Sequence, residues 1–160
     1  MHKIRQMKLQ DYALLDKFLY NSIYIPGGEE MPPFDIIYDP EIYIYVKDFG
    51  SKDDLGAVAE VNGEVVAMAW TRIIPAYGNI DDRTPELAIS TLSEWRGQGI
   101  GTDLMGFLFG LLRKAGYERT SLSVQQDNPA VRFYQRLGYE ITDEKQDHAG
   151  HSDFIMVKKF

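Results

Sequence analysis

The sequence predicts one mixed α/β domain, and three local patterns carry that expectation. Two β-rich runs meet at Asn62-Gly63, the residue pair favoured in a two-residue hairpin. A strand at 86–92 feeds a glycine-rich turn that opens into a long helical stripe. A last pair of strands, 139–142 and 154–157, follows a short helix begun by a proline. At 160 residues the chain has room for about one domain with a single substantial core.

Residues 3–7 read as a short first strand. Beyond Asp11, the three- and four-residue spacing of Leu14, Leu15, Phe18 and Leu19 marks an amphipathic helix. Pro26-Gly27-Gly28, Pro32-Pro33 and Pro40 cannot sit inside regular elements, so 25–40 is expected to be irregular, with a helical turn around 41–49. Long irregular stretches in compact domains often carry function. Tyr38, Tyr43 and Tyr45 would either line a pocket there or pack over the sheet.

The hairpin joins 57–61 to 65–74, and the second run is apolar on both faces, as in a strand inside a sheet. A polar turn at 78–83 leads to the strand at 86–92. After the glycine turn, Ile100, Leu104, Phe107, Leu108 and Leu111 keep helical spacing. Gly106 and Gly110 lower helix propensity there and point to close packing on their face. Gly116 suits a C-terminal stop. Residues 120–125 alternate as a strand, and Asp127-Asn128-Pro129 caps a helix that ends at Gly138. There is no internal repeat and no linker.

Composition narrows the function. A net charge of −7 argues against a nucleic-acid partner, which needs clustered Lys and Arg, and is compatible with a cationic amine. Cysteine is absent, which excludes disulfides, thiolate metal sites and Cys nucleophiles and fits a reducing, cytoplasmic compartment. No run approaches the roughly 18 apolar residues of a membrane span, and no apolar signal region is expected at the N-terminus. His148 and His151 imitate a metal pair but read as a polar turn, so no metal is expected. Asp53-Asp54 and Asp81-Asp82 read as solvated turns.

The chemistry is expected at Arg96-Gly97-Gln98-Gly99-Ile100-Gly101. A helix's first turn leaves backbone N–H groups without internal partners, and the macrodipole adds positive charge there. Glycines let an anion approach the backbone closely. Together these make a pyrophosphate cradle. A Walker loop would need Lys-Ser or Lys-Thr, which is lacking. A Gly-x-Gly-x-x-Gly fingerprint would end on Thr102 or Leu104, so it fails on spacing.

Arg-x-x-Gly-x-Gly, from Arg96 to Gly99 and Gly101, resembles the acetyl-CoA signature of the GNAT superfamily of N-acetyltransferases. Asn128-Pro129-Ala130-Val131-Arg132-Phe133-Tyr134-Gln135-Arg136-Leu137-Gly138-Tyr139 resembles that family's second cofactor element, in the expected order after one helix and one strand. The resemblance spans about two thirds of the chain, from Val58 on. It implies a central, mostly antiparallel sheet of about 6–7 strands with a splayed central pair, flanked by about four helices.

By that resemblance, backbone groups at Ile89 and Thr91 pair with the pantetheine arm. The backbone N–H groups of Gly97, Gln98, Gly99, Ile100, Gly101 and Thr102 hold the pyrophosphate, aided by the Arg96 side chain. Asn128 contacts the arm, caps its own helix, or does both. Tyr134 is the expected acid: an amine attacking a thioester must expel a thiolate, and a phenol of ordinary pKa about 10 can protonate it. The alternative is a core aromatic on an apolar face. Glu86 is the candidate base, through water; a solvated strand-end carboxylate is the alternative. A backbone N–H freed by a strand bulge near Thr91 would stabilise the developing oxyanion. The acceptor would be a small-molecule or protein amine, and homodimers are common in the family. A non-catalytic acyl-CoA-binding domain would carry the same cradle.

Overall fold

The computed structural model describes residues 1–146 and 150–160. Seven strands form one sheet: β1 (Lys3–Gln6), β2 (Leu55–Val61), β3 (Glu64–Arg72), β4 (Glu86–Thr91), β5 (Arg119–Gln125), β6 (Glu140–Gln146) and β7 (Ser152–Lys159), in the order β1-β2-β3-β4-β5-β7-β6. Every pair is antiparallel except β4 with β5. Among the described residues the α-helices are α1 (Leu15–Ser22), α2 (Pro40–Tyr43), α3 (Ile100–Lys114) and α4 (Ala130–Arg136).

Alternation along the hairpin builds two cores. Ala57, Ala59, Ala67 and Ala69 face α3, and their small side chains let that helix lie close against the sheet. Val58, Met68 and Trp70 fill the other face against Phe18 and Leu19 of α1. The Asn62-Gly63 turn has φ of 53° and 81°, the left-handed pair such a turn requires.

Several expectations shift. The first helical segment starts as a 3₁₀ turn at Leu9–Leu14 before α1. Asp11 is buried there, because Arg5 Nη1 donates to its carboxylate at 2.7 Å. β3 stops at Arg72, two residues before the predicted end. Gly106 and Gly110 are exposed, and a Cβ on either would meet nothing within 4 Å, so no close packing explains them. The aspartates read as solvated turns are partly structural: Asp54 pairs with Arg72, Asp53 accepts from Tyr117 and Asp81 pairs with Arg119. His148 lies outside the described residues.

The irregular segment is clamped from beneath. Arg72, 6% exposed, reaches Asp54 at 3.1 Å and donates to the carbonyls of Ile44 at 2.9 Å and Lys47 at 2.7 Å. Trp70 Nε1 donates to Tyr45 O at 2.9 Å. A buried charge so fully partnered is costly to break, by about 3–5 kcal/mol. The clamp sets Tyr45 over β4.

Candidate active site

β4 and β5 touch at one registered pair, Glu86 with Ser121, and part beyond it. Alternate residues of an antiparallel pair bond to the same neighbour. Leu92 N donates to Val66 O at 2.9 Å, which puts Glu86, Ala88 and Ser90 in bonding register with β3. Ile89 and Thr91 therefore turn their N–H and C=O groups into the gap. The register of β4 on β3 runs without a shift, so no bulge frees an N–H at Thr91. The parting of β4 from β5 does that instead.

The gap opens into a cleft of about 860 Å³ whose walls include Ile89, Thr91, the glycine turn, Asn128 and Tyr134. Gly97 and Gly99 have φ of 75° and 81°, and a Cβ on either would meet nothing within 4 Å. The backbone is thus bare on its open side. No side chain caps α3, and its first backbone bond runs from Asp103 N–H to Gly99 O at 3.2 Å. The first-turn N–H groups up to Thr102 are left for an anion. At Gly101 a Cβ would come within 3.3 Å of the Phe133 ring, so glycine also lets α3 approach α4. A row of N–H donors at one end of the cleft and a strand edge that β5 leaves uncovered at the other fit a diphosphate joined to an amide-bearing arm.

The side chains divide. Arg96 Nε donates to Thr91 O at 2.9 Å, folding the guanidinium back toward the β4 end. Gln98 Nε2 turns to Glu94 O at 3.4 Å and does not line the cleft. Asn128 Oδ1 accepts from Ala130 N–H at 2.9 Å, so Asn128 caps α4 while lining the cleft.

Tyr134 sits on α4 with its ring edge-on to Tyr139, centroids 5.8 Å apart. Its hydroxyl makes no hydrogen bond among the described residues, and burial pushes its pKa up to about 12, so the phenol keeps its proton at neutral pH. Glu86 is 1% exposed rather than solvated. Burial pushes its carboxyl up to about 7, against the pull of Tyr45, Gly78 N–H and Lys145. Its Oε2 accepts from the Tyr45 hydroxyl and from Gly78 N–H at 2.9 Å, while Oε1 has no partner among the described residues. Tyr134 shares the cleft with the cradle, and Glu86 does not line it.

Sequence reasoning missed Asn21 and Tyr24. Asn21 Nδ2 donates to Thr91 O at 3.0 Å, and Tyr24 reaches across to Asp127 O at 3.2 Å. Neither carries a motif; Asn21 depends on how α1 sits over the gap, and Tyr24 on the segment that follows it.

Residues 23–139 match the profile of the acetyltransferase (GNAT) family. The chain belongs to that family. It is 35% identical over 107 residues to an acetyltransferase of Pectobacterium atrosepticum, covering 66% of this chain and 70% of that one. It is 29% identical over 119 residues to the "Probable N-acetyltransferase san" of Drosophila melanogaster. There the match covers 72% of this chain but 61% of the fly protein's length. The fold is shared with the PaiA N-acetyltransferase of Thermoplasma acidophilum, solved with coenzyme A, at a TM-score of 0.71 and 23% identity over 100% of this chain and 99% of that one. As a GNAT acetyltransferase the chain uses acetyl-CoA as co-substrate. Among the described residues no helix is long and apolar enough to cross a membrane, and no His, Cys, Asp or Glu group could hold a metal ion.

Proposed function

We propose that this chain acetylates a primary amine by direct transfer, with Tyr134 as the acid. The observation that carries the reading is a protonated phenol on the wall of the cleft that also holds the glycine cradle and the gap-facing N–H of Thr91. Bound acetyl-CoA supplies the acetyl group as a thioester, leaving an amide on the amine and a thiol on coenzyme A.

The chain's own groups then have separable tasks. N–H groups at Gly97, Gln98, Gly99, Ile100, Gly101 and Thr102 hold the diphosphate, with Arg96 nearby. Ile89 and Thr91 pair with the arm as a neighbouring strand would, and Asn128 lines the opposite wall. The Thr91 N–H, turned into the gap, stabilises charge developing on the carbonyl oxygen. Tyr134 gives its hydroxyl proton to the departing sulfur. An ammonium must first lose a proton, and Glu86, with its pKa near 7, is tuned to accept it. Five residues of strand separate Glu86 from Thr91, roughly 17 Å, so that proton travels through water. The acidic, cysteine-free composition goes with a cationic acceptor and a cytoplasmic setting.

The test is thiol release from acetyl-CoA across a panel of primary amines, wild type beside Tyr134→Phe. The variant should lose about 10²–10⁴-fold in kcat with little change in acetyl-CoA affinity. Turnover undiminished in the variant would remove Tyr134 from the chemistry. Acetyl-CoA binding without turnover of any amine would favour a binding domain over an enzyme.

A further inference from the structure

Thr91 ends β4, and the peptide that follows it is held from both sides. Leu92 N–H donates to Val66 O at 2.9 Å, so β3 holds the nitrogen of that peptide. On the gap side, Thr91 O accepts from Arg96 Nε at 2.9 Å and from Asn21 Nδ2 at 3.0 Å. A carbonyl oxygen has two lone pairs, and both are engaged. β5 has parted from β4 at this level, so two side chains take the place of a neighbouring strand.

The two donors are mounted differently. Arg96 is exposed at the head of the glycine turn, where a bound diphosphate would draw its guanidinium away from Thr91. Asn21 is half-buried in the last turn of α1, a helix whose Phe18 and Leu19 are in the core. Ser90 Oγ donates to Phe18 O at 2.8 Å. Phe18 and Asn21 are three residues apart and share a helix face, so α1 is tied to two consecutive residues of β4. The bond to Thr91 O is the only hydrogen bond of the Asn21 side chain among the described residues.

We propose that Asn21 is a positioning residue for acetyl transfer. By holding the Thr91 carbonyl it aims the gap-facing N–H groups of β4 at the thioester, and it keeps that hold when Arg96 turns to the diphosphate. The inference rests on the acetyltransferase reading above and deepens it. Two physical effects follow from the one bond. It fixes the backbone torsions of Thr91, which β3 would otherwise restrain from one side, and a donor stabilises developing charge best when it cannot turn away. It also covers a carbonyl oxygen facing the gap in which negative charge develops, where a bare oxygen would oppose that charge. Asn21 acts in this role through Thr91.

Acetyl-CoA isotope-labelled at the thioester carbonyl reports the effect without any acceptor. Infrared difference spectra should place the bound carbonyl stretch below its position in water for wild type. Asn21→Leu, close to asparagine in size, should lose most of that displacement. Its acetyl-CoA Kd by calorimetry should stay within about threefold of wild type, with the melting temperature little changed. Asn21→Asp keeps the shape but, once ionised, has no proton to donate, so at alkaline pH it should match the leucine variant. Arg96→Ala should show the reverse split, with a Kd about tenfold weaker and the stretch still displaced. A merely structural role for Asn21 would move affinity, melting and stretch together. An undisplaced stretch in wild type, equal displacement in wild type and Asn21→Leu, or a displacement lost only along with affinity would overturn the inference, as would its loss in Arg96→Ala. If wild type does not bind acetyl-CoA at all, the acetyltransferase reading falls first and takes this inference with it.

Discussion

At the Thr91 end of β4, the groups facing the gap are backbone N–H and C=O; at the Glu86 end, five residues away, the decisive group is a buried side chain. The first end is built by chain geometry: a strand edge left open by β5, then two left-handed glycines and an uncapped helix start. The second is assembled from the segment after α2, the β3–β4 loop and β6, and its charge balance depends on Tyr45, Gly78 and Lys145 together. A site made of backbone tolerates change in its side chains but not in its glycines. A site made of side chains tolerates backbone variety but not the loss of a charge. One end can therefore stay fixed in its backbone while the other is free to vary in its side chains.

The sharpest way to break this contrast is Gly99→Val. A β-branched residue at φ of 81° is strained by roughly 1–2 kcal/mol, and its side chain would stand in the cleft. Acetyl-CoA affinity should fall about a hundredfold by calorimetry. Gln98→Ala, which removes only a side chain turned back to Glu94, should leave that affinity within about threefold. Equal losses in the two variants would mean that side chains, not backbone, make the cradle.

Glu86→Gln probes the other end. Burial raises the folded carboxyl from 4.5 to about 7, so the folded state binds the proton more tightly than the unfolded chain. Stability contributed by the protonated form is full below pH 4.5 and is lost as pH rises through about 7. Urea unfolding should accordingly show wild type losing up to about 3 kcal/mol across that window relative to Glu86→Gln, which does not titrate. In the assay, kcat/KM of wild type should rise through pH 7, and that limb should vanish in the variant. A limb that survives the substitution belongs to another group.

The smallest effect concerns Asn128, which serves both as cap and as cleft wall. Asn128→Asp preserves the cap acceptor and Asn128→Ala removes it, so the alanine variant should lose about 1 kcal/mol of stability that the aspartate variant retains. A matching loss of acetyl-CoA affinity in both would assign the amide nitrogen to the co-substrate.

The same contrast explains which parts of the molecule are legible in its amino-acid sequence. Glycines with a strand before them and a helical stripe after them announce a backbone site, because few other residues accept those dihedrals. The hairpin is legible from Asn62-Gly63 for the same reason. The seat of Glu86 is not, since nothing near it in sequence records that Arg72 clamps the 44–47 backbone and so delivers Tyr45. The burial of Asp11 and Asp54 is equally hidden, because each depends on an arginine brought to it by a strand. Asn21 and Tyr24 touch the site through single hydrogen bonds across 70 and 103 residues, a relation that local patterning cannot hold.

The central claim is that the turn from Arg96 to Gly101 is an acetyl-CoA cradle, and thermal unfolding tests it most directly. Wild-type protein is melted alone and with millimolar acetyl-CoA, ATP or NAD. At 100 times its Kd, a ligand that binds only the folded state adds about 2.7 kcal/mol. A rise of several degrees with acetyl-CoA alone, absent in Gly99→Val, is the expected result. No shift with acetyl-CoA, or a larger one with ATP or NAD, would contradict the assignment of that turn and everything built on it.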